Sequence, residues 1–184
     1  LLQRAVAVLQ SSYLHPTSQE GFQYSKAVLV ENALFLSEVR SRRVLLAAQE
    51  RLIKEALSLL LKAQELCQSG LRVNSSSLAT LGDPAKGVYI SKHADCLHPS
   101  PWYHGQSGCI VICKLIKGKV KVVSEDFTPS HPSPGYDCHV AASSPLPAQS
   151  SYSQAFQHSQ CYVYEVSGTS AAERPRQICP YIII

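Results

Sequence analysis

Hydrophobic positions follow two regimes along this chain, and the change comes near Gly70. Before it, apolar residues recur at helical spacing. Leu2 to about Leu9 predicts a first helix. Tyr13-Leu14-His15-Pro16-Thr17-Ser18 breaks it, because a proline disfavours helical geometry in the residue ahead of it. From about Tyr24 a long helical stretch is predicted. Leu29, Leu34 and Leu36 form one apolar stripe, and Leu45, Leu46, Leu52, Ile53, Ala56, Leu57, Leu60 and Leu61 continue it at spacings of three and four. Glu50 and Lys54 stand four apart in the order that supports a helix. Arg40, Arg42 and Arg43 fall at a break between helices and read as a solvated face rather than a basic contact patch. Gly70 is the expected helix stop.

After Gly70, short β-branched runs alternate with loops rich in Ser, Pro and Gly. Gly87-Val88-Tyr89-Ile90 predicts one strand. Cys109 to Leu115 is continuously apolar, as a buried central strand should be. Lys119-Val120-Lys121-Val122-Val123 alternates polar and apolar, the pattern of a half-buried strand. Gly118 between these two favours a hairpin. Cys161 to Val166 and Tyr181 to Ile184 predict further strands. Phe127 to Ser153 reads as a long polar loop, which inside a domain is usually functional or disordered. The fold class expected is α+β, with a helical part over 1–69 and a mostly antiparallel, sheet-rich core over 70–184.

Composition narrows the class. A chain of 184 residues suits one domain with a sizeable core. Hydrophobic residues make up 45% and charged residues only 16%, which leaves room for a surface partly covered by a partner. The net charge of +4 tolerates an anionic partner without requiring one. No Lys/Arg run interleaves with aromatics, so nucleic-acid binding is a minority reading. The 7 cysteines are odd in number and irregularly spaced, which argues for a reducing compartment. Cys109 and Cys113 read as small core hydrophobes. Asp137-Cys138-His139 could supply metal ligands, but no second Cys or His pair stands at zinc-finger spacing. The N-terminus does not read as a signal peptide, and charged residues interrupt every long apolar run. A soluble, intracellular domain cut from a longer protein is expected.

Catalytic patterns are not apparent. Histidines 93, 98, 104, 131, 139 and 158 are candidate bases, yet no nucleophile elbow or catalytic-cysteine motif accompanies them. Gly105-Gln106-Ser107-Gly108 is a turn, and Gly82-Asp83-Pro84 lacks the ending of a phosphate loop. Lys114, Lys117, Lys119 and Lys121, grouped on the predicted hairpin, are the candidate interaction residues, for RNA phosphates or for edge protection.

A resemblance adds to this reading. Gly70-Leu71-Arg72 and Lys86-Gly87-Val88-Tyr89-Ile90 resemble motifs of the poly-ADP-ribose polymerase (PARP) catalytic fold, as do Gly118-Lys119-Val120 and Gln160-Cys161-Tyr162-Val163-Tyr164-Glu165. A closer resemblance is to the N-terminal pseudo-PARP domain of the TASOR family. It is carried by Tyr13 to Ser18, Leu81-Gly82-Asp83-Pro84, His93-Ala94-Asp95-Cys96-Leu97, Trp102-Tyr103-His104-Gly105, Gly135 to Val140, and Arg174 to Tyr181.

The resemblance implies a PARP-like ADP-ribosyltransferase fold with a split sheet. Active members use a His, a Tyr and a Glu. Tyr89 matches the Tyr, whereas Gln160 falls at the Glu position. The His belongs to a His-Gly pair on a strand before Gly70, and Leu57 to Ala63 holds no His. Val44 to Ala63 reads as helix where that strand is needed, so either Leu57 to Leu61 is the strand or the segment is altered. A catalytically inactive domain with no cofactor is therefore implied, without NAD and without metal. The family further implies a nuclear scaffold in a HUSH-like complex that supports histone H3 lysine-9 methylation and retroelement repression. Its partners are an MPP-type chromodomain protein and periphilin, bound mainly by other regions. A residual NAD-dependent mono-ADP-ribosyltransferase and an RNA-binding module are the alternatives.

Overall fold

Strands form where the apolar runs after Gly70 predict them, and also at places the periodicity conceals. The computed structural model describes residues 1–15, 17–30, 44–47, 56–73, 80–97, 108–124, 131–142, 151–167 and 170–184. The elements in chain order are α1 (Leu2–Ser11), α2 (Ser18–Gly21), β1 (Val28–Leu29), β2 (Val44–Ala47), α3 (Ala56–Ser69), β3 (Val88–Ser91), β4 (Val111–Leu115), β5 (Val120–Val123), β6 (Cys138–Ala141), α4 (Tyr152–Ser159), β7 (Gln160–Val163), β8 (Val166–Ser167), β9 (Ser170–Ala171) and β10 (Ile178–Ile183).

Two four-stranded sheets carry the fold, in the orders β1-β10-β4-β2 and β3-β7-β6-β5. Strands β2 and β3, at one edge of each sheet, lie against each other. The expected α+β architecture with a split sheet is thus observed. Pairings among the described residues are antiparallel apart from β5 with β6. Alternation along the strands divides the core. Val88, Ile90, Cys138, Cys161 and Val163 of one sheet meet Val111, Cys113, Leu115, Ile178 and Ile183 of the other, together with Cys67 of α3. Ala5 and Leu9 of α1 cover Ile112 and Ile182 on the far side of the first sheet. Leu81, Tyr89, Val123, Tyr162 and Tyr164 form a third cluster on the far side of the second. Six of the seven cysteines are buried and none is in a disulfide, and Cys67, Cys113, Cys138 and Cys161 pack in the inter-sheet core.

The structure corrects four expectations. First, residues 1–69 are not purely helical, since Val28–Leu29 and Val44–Ala47 join the first sheet. Leu45 and Leu46 suit a helix locally, but pairing with Cys113 and Ile112 of β4 overrides that preference. Second, Leu57 to Leu61 is not the strand the resemblance asks for but helix, as its own periodicity predicts, and the strand ahead of Gly70 is β2.

Third, β4 and β5 are not a hairpin. At Gly118, φ is +57°, and a Cβ there would collide with the Asp137 carboxylate. Asp137 accepts from the Lys119 N–H (2.6 Å), and its own N–H donates to the Lys119 carbonyl (2.8 Å). The chain is thereby turned onto β6 in the other sheet instead of back along β4. Fourth, the stretch from Phe127 to Ser153 holds strand β6 and the start of α4. A capping box joins Ser151 and Gln154 at the head of α4. Arg40, Arg42, Arg43, Glu50, Lys54 and the Trp102-Tyr103-His104 stretch lie outside the described residues.

Candidate functional site

Tyr89 and Gln160 stand on the same face of the second sheet. Tyr89 lies opposite Tyr162, and Ser91 opposite Gln160, in the β3–β7 pairing. Residues opposite each other and residues two apart share a face. The face is closed by the protein's own groups. Tyr89 is 6%, Gln160 3% and Tyr162 0% exposed.

The Tyr89 hydroxyl accepts from the N–H groups of Leu81 (2.9 Å) and Gly82 (2.7 Å) and donates to the Gly82 carbonyl (2.6 Å). Burial pushes this hydroxyl up to about 12, so it stays a neutral donor and acceptor. Its ring meets that of Tyr162 at 5.1 Å. The Tyr162 ring is held between two glycines. A Cβ at Gly82 would collide with it, and one at Gly87 would come within 2.5 Å. The Tyr162 hydroxyl donates to the Asp83 carbonyl (2.8 Å). Gln160 donates its amide to the carbonyls of Phe156 (3.1 Å) and Cys96 (3.3 Å), tying α4 to the loop after β3.

His139, on β6 and fully buried, joins this face. Its Nδ1 stands 2.7 Å from the Leu81 carbonyl, an acceptor only, so the proton resides there. Nε2 then accepts, with the Ser133 and Tyr164 hydroxyls each at 3.0 Å. Lys121 donates to Ser133 Oγ (2.8 Å). One network therefore runs from Lys121 through Ser133 and His139 to the Leu81 peptide, whose N–H reaches Tyr89. Burial holds the imidazole below its ordinary value, and the Lys121 charge adds to this. Asp137-Cys138-His139 accordingly splits by direction. Asp137 ties down the Gly118 turn, Cys138 enters the inter-sheet core, and His139 enters the network.

A second buried polar centre is Asp95, 1% exposed. Its carboxylate accepts from the N–H groups of Leu14 (2.9 Å) and His15 (2.8 Å) and from the Ser18 hydroxyl (2.8 Å). His93 Nδ1 meets the Ser12 carbonyl at 2.8 Å, and the Ala94 N–H donates to Ser12 Oγ (3.1 Å). Two stretches distant in sequence, Tyr13 to Ser18 and His93 to Leu97, are thus one clasp. Periodicity did not single out Asp95. Its small and apolar neighbours Ala94, Cys96 and Leu97 were the available signal.

The four lysines do not share one hairpin. Lys114 lies over the Tyr181 ring at 4.2 Å, on the first sheet. Lys119 and Lys121 approach the Tyr136 ring at 5.4 and 5.9 Å, on the second. Lys117, in the connection between β4 and β5, neighbours Lys92, whose ammonium burial pushes down with the Lys117 charge adding to the effect.

Comparison with known proteins places this arrangement. The family DUF3715, described as a protein of unknown function, matches residues 50–180. The TASOR protein of Homo sapiens is 34% identical over 197 residues, covering 97% of this chain and 12% of that protein. TASOR of Xenopus laevis is 35% identical, over 96% of this chain and 12% of that protein. The chain therefore spans about one-eighth of the length of the curated relatives it matches. The crystal structure of the TASOR pseudo-PARP domain superposes with a TM-score of 0.79 at 30% identity, covering 98% of this chain and 90% of that one. With the sequence family, the fold and the ordered motifs in agreement, the chain belongs to the TASOR family and has the pseudo-PARP fold.

Proposed function

We propose that this chain is a non-catalytic interaction domain of a nuclear silencing scaffold. The observation that carries the first half is the state of the face between β3 and β7. Gln160 stands where the resemblance requires a carboxylate. A neutral amide can hydrogen-bond a ribose hydroxyl but cannot accept its proton near neutral pH. Its Nε2 is already committed to two backbone carbonyls. Tyr89 is likewise committed, its hydroxyl holding the Leu81–Gly82 turn and its ring lying against Tyr162. The strand ahead of α3 reads Val44-Leu45-Leu46-Ala47 and carries no His, and neither does Leu57 to Ala63. A nicotinamide placed here would have to displace side chains from the core.

The second half rests on family membership. Similarity to TASOR supports a role in a HUSH-like complex, in H3 lysine-9 methylation and retroelement repression, in the nucleus. An MPP-type chromodomain protein and periphilin are then partners of the whole scaffold. The test of the catalytic reading is a calorimetric and thermal-shift titration with NAD, with labelled NAD to follow transfer. The expected result is no heat of binding, no shift in melting temperature and no label on protein. Saturable binding with transfer of label would establish a residual ADP-ribosyltransferase instead.

A further inference from the structure

The free edge of the second sheet has a direction of hydrogen bonding that can be read from its neighbours. The Lys119 carbonyl accepts from the Asp137 N–H (2.8 Å), and the Val123 carbonyl from the Ala142 N–H (2.9 Å). Backbone groups alternate sides along an extended strand. Lys119, Lys121 and Val123 therefore bond toward β6, and Val120 and Val122 turn their N–H and C=O groups to the outer edge. No strand among the described residues pairs with that edge.

Side chains alternate at right angles to this direction. On one face Val122 is 62% exposed, an apolar side chain in water beside outward-facing amides. On the other, Lys119 and Lys121 stand near Tyr136, itself 38% exposed. The nearby Asp137 carboxylate accepts from the Lys119 N–H and keeps its charge, and Lys121 donates one of its three N–H groups to Ser133 Oγ, so two ammonium groups against one carboxylate leave this face net positive. An edge that offers main-chain pairing, an apolar row and a basic row at a period of two matches one kind of ligand. It fits an extended peptide with acidic residues alternating with β-branched apolar ones.

We propose that the β5 edge takes such an acidic, alternating segment of a protein partner as an added strand, its carboxylates over Lys119 and Lys121 and its apolar residues beside Val122. The proposal rests on the interaction-domain reading and names its surface. RNA would use the lysines but has no need of the outward amides or of Val122.

The test uses the 184-residue chain and a short fluorescent peptide alternating Glu and Val, followed by anisotropy at low salt. A scrambled peptide of the same composition and labelled poly-uridylate are the comparisons. Binding is expected for the alternating peptide, with the scrambled one weaker. Two cross-strand charge pairs are worth about tenfold in affinity, so Lys119→Glu with Lys121→Glu loses at least that much. Val122→Pro removes an outward N–H without touching the β6 pairing. It is expected to lose binding to a similar degree, with a melting temperature close to the parent's. Equal binding of both peptides, or binding indifferent to Val122→Pro, overturns the strand reading. Poly-uridylate bound through the lysines in preference to the peptide overturns it in favour of RNA, and no binding of either peptide overturns it outright. None of these outcomes bears on the NAD titration.

Discussion

Asp95 holds the N-terminal region to the body of the domain, and replacing it by alanine measures that hold. The carboxylate is 1% exposed and accepts from two backbone N–H groups and one hydroxyl. A hydrogen bond to a charged group contributes about 1.5–3 kcal/mol, so three sum to at least about 4.5 kcal/mol. Alanine also avoids desolvating a carboxylate, which offsets part of that loss. A net destabilisation of about 3 kcal/mol remains, because the Leu14 and His15 N–H groups are left without their acceptor. In a domain of this size, about 2–4 °C of melting temperature corresponds to each kcal/mol, so the midpoint falls by about 6–12 °C. Asp95→Asn keeps one acceptor oxygen and is expected to lose about half as much. Urea unfolding followed by circular dichroism gives the free energies. Amide exchange at Leu14 and His15 locates the effect and should accelerate more than exchange in β7. An Asp95→Ala protein within about 1 kcal/mol of the parent, or with unchanged exchange at those two amides, refutes the clasp.

His139 makes stability depend on pH. Its value lies below that of the unfolded chain because burial and Lys121 both oppose the imidazolium, so the folded state favours the neutral ring. The stabilisation is complete above the unfolded value of about 6.5 and is lost as pH falls below it, by at most about 1.4 kcal/mol per pH unit. His139→Gln should flatten the unfolding free energy between neutral pH and about 5, and an unchanged slope would remove the imidazole as its source. Gly82→Ala sets a methyl group into the Tyr162 ring, which should cost about 1–3 kcal/mol in urea unfolding. A neutral result would mean the ring is not held between the glycines.

The legibility of the fold varied with the kind of burial. Strands β3, β4 and β7 and the Tyr181–Ile183 half of β10 were readable because each carries a largely apolar run, whereas Ile178-Cys179-Pro180 at the start of β10 was not read as strand. Strand β6 was not, because its sequence Cys-His-Val-Ala alternates a core thiol with an imidazole whose partners are supplied from elsewhere. Strand β2 was hidden by leucines that suit a helix equally well in isolation. The capping signature Ser151-Tyr152-Ser153-Gln154 stands at the start of α4, a helix that reading Phe127 to Ser153 as a loop passed over. At the site, Tyr89 and Gln160 were found by their motifs. Tyr162, His139 and Asp95 lay inside quoted motifs but without these roles, and Ser133 was not singled out, since a polar side chain reads as surface until its buried partners are known.

By itself, then, the sequence determined the α+β class, the place of Cys113 in a buried strand, the helix end at Gly70 and the family, all of which follow from local pattern and ordered motifs. Tertiary structure alone decided that β5 leaves β4 for the other sheet and that a lysine, a serine, a histidine and a tyrosine form one network. It also decided that the face bearing Tyr89 is filled by Tyr162. The physical reason is common to all three. Each depends on hydrogen-bond acceptors and ring contacts contributed by residues far away in the chain, and no periodicity within a segment encodes where such partners will lie.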